Sequence, residues 1–311
     1  SHRGPDGQGI WRNERVALGH RRLSVIDLSQ NAGQPMATPS GEAVLIHNGE
    51  VYNFRVLRSV LESEGVSFRT STDTEVVLHA LHRWGPEAAI RQFNGMFSFA
   101  YLDIANGELW LGRDRLGIKP LSVAETSDRL LFASEDKQLL ASRGFASSVD
   151  TREITLRLAS QYRDNVASLF AGVERIGPGE LWKISDAGIE KKRYWHVLDA
   201  LEPNRITAGR AGGSADVLSL ESLLRESVGL HCISDAPLAA ACSGGVDSGL
   251  ITTFAGQMRS GTPGYVVDPL MGLSEAEDAE RTGRKAGVEI RRVPLDRRRF
   301  LELWPKVVWH L

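Results

Sequence analysis

Ala239-Ala240-Ala241-Cys242-Ser243-Gly244-Gly245-Val246-Asp247-Ser248 decides how the second half of this chain folds. The apolar run from Ala236 to Cys242 is strand-sized, and Gly249 to Met258 reads as a helix, so the glycines between them turn a strand sharply into a helix. Glycine lets a backbone approach an anion closely, and a helix start offers unpaired N–H groups and the positive end of its dipole. Ser243 and Ser248 each add a hydroxyl donor. No Gly-Lys-[Ser/Thr] is present, which excludes the loop type that wraps the terminal phosphates of a nucleotide. Asp247 supplies a carboxylate able to take Mg²⁺ beside bound phosphate oxygens.

Outward from the loop, strand and helix alternate. A helix through Leu220, Leu223, Leu224 and Val228 precedes it, amphipathic by spacing. A strand at Tyr265-Val266-Val267, a helix from about Glu275 to Ala286 started by Ser274 as N-cap, and a strand from Val288 to Val293 follow. This order implies a doubly wound parallel sheet. Pro203-Asn204, Gly209 and Gly212-Gly213-Ser214 mark 199–215 as a linker, dividing the chain into 1–198 and 216–311.

The first half reads as α+β. Ala43-Val44-Leu45-Ile46 is a strand closed by Asn48-Gly49, a turn signal. Asn53 to Glu64 and Thr74 to Trp84 have helical spacing, with Asp73 as N-cap of the second. Met96 to Tyr101 and Glu108 to Leu111 form a hairpin across Ala105-Asn106-Gly107.

Composition narrows the class. The chain has 311 residues, enough for two domains, with 42% hydrophobic and 24% charged residues and a net charge of −2. That balance gives no pull toward nucleic acid or an anionic membrane, and no apolar run is long enough to span a bilayer. Two cysteines, Cys232 and Cys242, build no disulfide framework, so a cytoplasmic location is expected. Arg291-Arg292 and Arg297-Arg298-Arg299 read as a solvated rim, and the histidines show no zinc-ligand spacing.

Ser243-Gly244-Gly245-Val246-Asp247-Ser248 resembles the pyrophosphate loop of enzymes that adenylate a substrate and release pyrophosphate. In the first half, His2-Arg3-Gly4-Pro5-Asp6, His20-Arg21-Arg22-Leu23-Ser24, His47-Asn48-Gly49-Glu50-Val51-Tyr52-Asn53, Ser71-Thr72-Asp73-Thr74-Glu75, Phe93-Asn94-Gly95 and Arg113-Asp114-Arg115-Leu116-Gly117 resemble the glutaminase domain of glutamine-hydrolysing asparagine synthetases. That family joins the two domains in this order. The resemblance implies a four-layer α/β/β/α N-terminal-nucleophile hydrolase fold, then a doubly wound α/β domain of the adenine nucleotide α-hydrolase type.

The resemblance assigns roles by position. Arg22 would fork onto the glutamine α-carboxylate. Asp73 and the groups around Glu50 would meet the α-ammonium, and the Asn48 side chain with the Gly49 N–H would form an oxyanion hole. Cys242, Ser243, Gly244, Gly245, Asp247, Ser248 and Val267 would contact ATP, with Asp247 on Mg²⁺. Glutamine, aspartate and ATP are the implied small-molecule partners, with a homodimer left open and neither nucleic acid nor membrane involved. The departures are Cys242 and Val246 where the family has Leu, Gly249 where it has Ser, and Leu121-Ser122-Val123-Ala124 in place of a Tyr-Tyr pair.

The family's nucleophile is an N-terminal Cys opening a strand upstream of the His2-Arg3 motif, with its free amino group as base. Ser1 abuts the motif and is not read as a substitute, so these residues alone are not expected to hydrolyse glutamine. The family's later aspartate and metal motifs would begin near Leu311. The expected reaction of an intact protein is aspartate, glutamine and ATP to asparagine, glutamate, AMP and pyrophosphate. Two alternatives stay open: a relative acting on another carboxylic acid, such as a ring-closing cyclase, and a non-catalytic nucleotide- or glutamine-binding chain.

Overall fold

Contacts divide the chain into Ser1–Ala208 and Gly209–Leu311. The computed structural model describes residues 2–160, 166–200, 214–270, 272 and 274–310. Most of the expected linker lies outside them.

Unit 1 opens with a hairpin of β1 (Gly7–Arg12) and β2 (Ala17–Arg22). β3 (Met36–Ala37), β4 (Ala43–Val51), α1 (Phe54–Ser63), α2 (Asp73–Trp84) and α3 (Pro86–Gln92) follow. Then come β5 (Gly95–Asp103), β6 (Glu108–Arg113), β7 (Ser122–Glu125), β8 (Leu130–Ala133), α4 (Asp136–Leu140) and α5 (Thr151–Ser160). β9 (Val173–Arg175), β10 (Glu180–Ser185) and β11 (Gly188–Arg193) complete the unit. An antiparallel sheet runs β11-β10-β6-β5-β4-β3, and a second runs β8-β7-β9.

Burial explains the layering. Val44, Leu102, Leu111 and Trp182 of the large sheet meet Leu18, Leu121, Val123 and Ile176 in one apolar core. On its other face β4 carries α2, while α4 packs on β7 and β8. The order helix, sheet, sheet, helix is the four-layer arrangement expected. The β5–β6 hairpin forms as read, Asp103 pairing with Glu108.

Two local readings are corrected. Asn48-Gly49 is no turn: β4 runs through it to Val51, with Asn48 opposite Ser98 and Gly49 opposite Phe97 on β5. The ladder to β5 outweighs the local turn preference. Asp73 is not the N-cap of α2; Thr72 is, its hydroxyl accepting the Thr74 N–H at 3.3 Å. The Asp73 carboxylate instead accepts the Val51 N–H at 2.9 Å, tying helix start to strand end.

Unit 2 contains α6 (Ser214–His231), β12 (Ala240–Ala241), α7 (Val246–Met258), β13 (Gly264–Pro269), α8 (Ala276–Ala286), β14 (Ile290–Leu295) and α9 (Arg297–His310). The strands form a parallel sheet β12-β13-β14, the connectivity expected. The first strand is much shorter than Ala236–Cys242, the last is shifted to Ile290–Leu295, and α5 and α9 are additional helices. The cap position of α8 is Glu275, although Ser274 Oγ still accepts the Ala276 N–H at 3.2 Å. The stripe on α6 is not buried as amphipathic spacing suggests: Leu220 is 57% and Leu223 61% exposed. Arg297, Arg298 and Arg299 are exposed, a solvated rim as read. Among the described residues no helix is long and apolar enough to cross a membrane.

The loop after β6 depends on one carboxylate. Asp114, 1% exposed, accepts N–H groups from Phe97 (3.2 Å), Leu116 (3.1 Å), Ile118 (2.9 Å) and Lys119 (2.9 Å). Buried Arg113 closes the same loop, donating to the carbonyls of Lys119 (2.8 Å) and Gly117 (2.7 Å). Asp114→Ala strands these buried donors, and urea unfolding should show a loss of roughly 2–4 kcal/mol. Asp114→Asn should fall between it and the parent.

Candidate functional site

Unit 1 has a cleft of about 1430 Å³. Its wall brings together Arg22 at the end of β2, Asn48, Gly49 and Glu50 on β4, and Asp73 at the start of α2. These residues come from three separated segments, around positions 22, 48–50 and 73, and the fold assembles them. Gly49 has φ +137°, and a Cβ on it would sit 2.0 Å from the Met96 carbonyl oxygen. Only glycine allows β5 to approach there.

Opposite charges face the cleft. Arg22, 8% exposed, donates to the carbonyls of Ser29 (2.9 Å) and Ile26 (3.1 Å). Burial pulls its guanidinium below the usual range, and Asp27, Asp6 and Asp73 counter that pull. Asp73 stands within this field with both oxygens engaged, by Val51 N–H and by the Thr72 hydroxyl at 3.2 Å. A guanidinium and a carboxylate in one cleft match the two charges of an amino-acid zwitterion. Asn48 Nδ2 has only a long contact to Ser134 Oγ, 3.5 Å.

Beneath β4 lies a buried polar network. The Gln34 carboxamide pairs with the His47 peptide: His47 N–H donates to Oε1 at 2.6 Å, and Nε2–H donates to the His47 carbonyl at 3.1 Å. His20 Nε2 lies 3.2 Å from the same carbonyl, so that nitrogen carries the proton. His20 Nδ1 and His47 Nε2 are buried with no protein partner. Burial, then the neighbouring His47, lowers His20 to about 4; burial likewise lowers His47 and His79.

In unit 2 the glycine loop is held by its own serines. Ser243 N–H donates to Ser248 Oγ at 3.0 Å, and the two hydroxyls are 2.9 Å apart. Gly244 has φ +84°, and a Cβ there would lie 2.8 Å from the Glu275 carbonyl oxygen. Gly245 caps α7 without a side-chain bond, so the helix start faces outward with its N–H donors. Asp247 is exposed on the first turn, and Val267 is 57% exposed at the neighbouring strand end. Cys242 is buried and packs with Val266, Ala276 and Ala279 under the loop. Among the described residues no group of three His, Cys, Asp or Glu could hold a metal. One carboxylate still suits Mg²⁺, which keeps several waters and shares substrate phosphates.

A glutamine amidotransferase domain model matches residues 1–195, and an asparagine synthase model matches 219–311. The chain belongs to the glutamine-hydrolysing asparagine synthetase family. An asparagine synthetase [glutamine-hydrolyzing] of Bacillus subtilis is 32% identical over 311 residues, 99% of this chain and 48% of that protein. A protein named amidase chyE, from Penicillium rubens, is 32% identical over 99% of this chain and 47% of its own length. A solved glutamine phosphoribosylpyrophosphate amidotransferase from B. subtilis, complexed with ADP and GMP, aligns over 89% of this chain and 67% of its own at 16% identity and TM-score 0.42. The chain spans about half the length of the two sequence relatives.

Within this asparagine synthetase-family chain, sequence reasoning found the charged wall of the cleft and missed its floor. His20 and His47 stand inside quoted motifs, but neither spacing nor composition signals that Gln34 and Thr74 join them. Glu75 and Asp114, quoted in the same motifs, hold loops: Glu75 is 1% exposed and accepts the Arg69 and Thr70 N–H groups at 3.0 and 2.7 Å.

The histidines set a pH window. Folded His20, His47 and His79 stay neutral where unfolded histidines, near 6.5, take up protons. The unfolded state therefore binds more protons below pH 6.5, and unit 1 loses stability as pH falls from about 6.5 toward 4. Denaturant unfolding at pH 7.5, 6 and 5 should show this decline. His20→Gln should flatten it, whereas an unchanged slope would assign it to other groups.

Proposed function

We propose that the protein to which these residues belong makes an amide at the expense of ATP, drawing ammonia from glutamine. The carrying observation is the uncapped α7 start with its Ser243–Ser248 hydroxyl pair, which fits the phosphates of a nucleotide. Family membership supports glutamine as nitrogen donor, and the paired charges of Arg22 and Asp73 suit its zwitterion.

Each residue then has a task. Arg22 orients the glutamine α-carboxylate, while Asp73 and Glu50 take the ammonium. Asn48 Nδ2 and the Gly49 N–H stabilise the oxyanion formed when a thiolate attacks the side-chain amide, each donor contributing on the order of 10²–10³ in rate. Both cysteines of these residues, Cys232 and Cys242, lie in unit 2. At the second site the loop N–H groups and the Ser243 and Ser248 hydroxyls hold phosphate oxygens while a carboxylate attacks the α-phosphorus and pyrophosphate leaves. Val267 offers an apolar surface to the nucleotide. Asp247 would hold Mg²⁺, which when bound neutralises phosphate charge. Ammonia attacks the resulting acyl-adenylate, giving the amide and AMP. Aspartate is the acid this reading favours, with asparagine as product, in the cytoplasm.

The relative named an amidase favours keeping a second acid in view. Pyrophosphate release by the full-length protein separates the readings. Release should require aspartate and fall more than about 100-fold in Asp247→Ala, the scale of losing a charged transition-state contact. Equal release with other carboxylic acids would transfer the assignment to another amide or lactam. Full activity in Asp247→Ala would remove the loop from the mechanism.

A further inference from the structure

The crevice beside the glycine loop carries a carboxylate that neither site description uses. Ala240 is level with Gly264 and Ala241 with Tyr265, and Cys242 N–H donates to the Tyr265 carbonyl at 2.8 Å. Continued two steps, this register sets Ser243 level with Val267 and Asp268 one residue beyond. Strand spacing and rise then place the two backbones roughly 6 Å apart. Gly244 packs on the Glu275 backbone, so the segment that starts α8 bounds the same crevice.

Asp268 is held but not saturated. Its side chain is 13% exposed; Oδ1 accepts the Ser274 hydroxyl at 2.5 Å, and Oδ2 faces Arg292 Nη1 at 3.3 Å. Arg292 gives its two short bonds to Glu280, 2.6 and 2.8 Å, so it is mainly engaged elsewhere. A carboxylate offers about four acceptor sites, which leaves capacity toward the crevice. In parallel α/β sheets the ligand lies outside the C-terminal strand ends. In the dinucleotide-binding version of such sheets, phosphates sit on the glycine loop after one strand and a carboxylate at the end of the next takes a ribose hydroxyl. Asp268 occupies that second position, beside the exposed face of Val267.

We propose that Asp268 accepts a hydrogen bond from a ribose hydroxyl of the nucleotide whose phosphates lie on the Ser243–Ser248 loop, and so selects ribonucleotides over deoxyribonucleotides. The inference rests on the reading of that loop as an ATP site. Ser274 orients the carboxylate through Oδ1.

Equilibrium binding to the 311-residue chain, with Mg²⁺ and either ATP, 2′-deoxy-ATP or 3′-deoxy-ATP, tests it. ATP should bind about tenfold more tightly than at least one deoxy analogue, the scale of a hydrogen bond to a charged group. Asp268→Ala and the isosteric Asp268→Asn should bind ATP as weakly as the parent binds that analogue, and leave the analogue's own affinity unchanged. Equal affinity of the parent for all three, or an equal loss for all three in both variants, overturns the assignment and makes Asp268 a brace for the loop. No ATP binding by the parent, or ATP binding that survives Gly244→Val, overturns the loop reading itself, and the role of Asp268 falls with it.

Discussion

Gly49 and Gly95 cross so closely that neither can carry a side chain. A Cβ on Gly49 would meet the Met96 carbonyl oxygen at 2.0 Å, and one on Gly95 would meet the Glu50 carbonyl oxygen at 2.1 Å. The two lie two register steps apart on β4 and β5, so each strand makes room for the other's backbone. This close approach fixes how Asn48 and Glu50 are presented to the cleft. It also ends β4 where the Val51 N–H reaches Asp73, so a strand contact determines where a helix begins. Just beyond, Asn53 Oδ1 accepts the Asn94 N–H at 2.9 Å and Tyr52 N–H donates to the Asn94 carbonyl at 2.8 Å, locking the crossing from its open end.

Around that crossing the buried polar groups divide by what they bond. Asp114, Glu75 and Arg113 spend their capacity on backbone groups of neighbouring loops, and a charged group with three or four such bonds stays buried because it is fully satisfied. His20 and His47 are different, since each keeps one ring nitrogen buried without a protein partner. Their neutral rings tolerate that at modest cost, whereas a stranded charge would not be tolerated. Loop scaffolding and cleft chemistry thus lie side by side in the same motifs, and only the bonding separates them.

Much of the fold was legible in the sequence because its signals are local. The β5–β6 hairpin follows from Asn106-Gly107 between apolar runs, and α1 and α2 from spacing alone. The failures share one cause. Asn48-Gly49 has the local signature of a turn, yet nine ladder pairs with β5 carry the strand straight through it. Asp73 has the local signature of a cap, yet a strand end 22 residues earlier, at Val51, claims its carboxylate, and Thr72 does the capping. The leucines of α6 have helical spacing, but spacing states which face is apolar and not what covers it. The candidate residues were found through motif resemblance; Gln34, which joins His47 and Thr74 in the floor, lies in no motif and needed the fold.

The two candidate sites are also built on different principles. The cleft of unit 1 joins residues from β2, β4 and the start of α2, so it exists only once non-local pairing has formed and the Gly49–Gly95 crossing is closed. The loop of unit 2 is set by one strand end, one helix start and the strand beside them, with a small core of Cys242, Val266, Ala276 and Ala279 beneath. In the proposed nucleotide site backbone N–H groups would do most of the binding, and the backbone geometry needs glycine at Gly244. That explains how Cys242, Val246 and Gly249 can depart from the family pattern while the loop keeps its form. On the proposed reading, selectivity would then fall to side chains beside the loop, where Val267 and Asp268 stand.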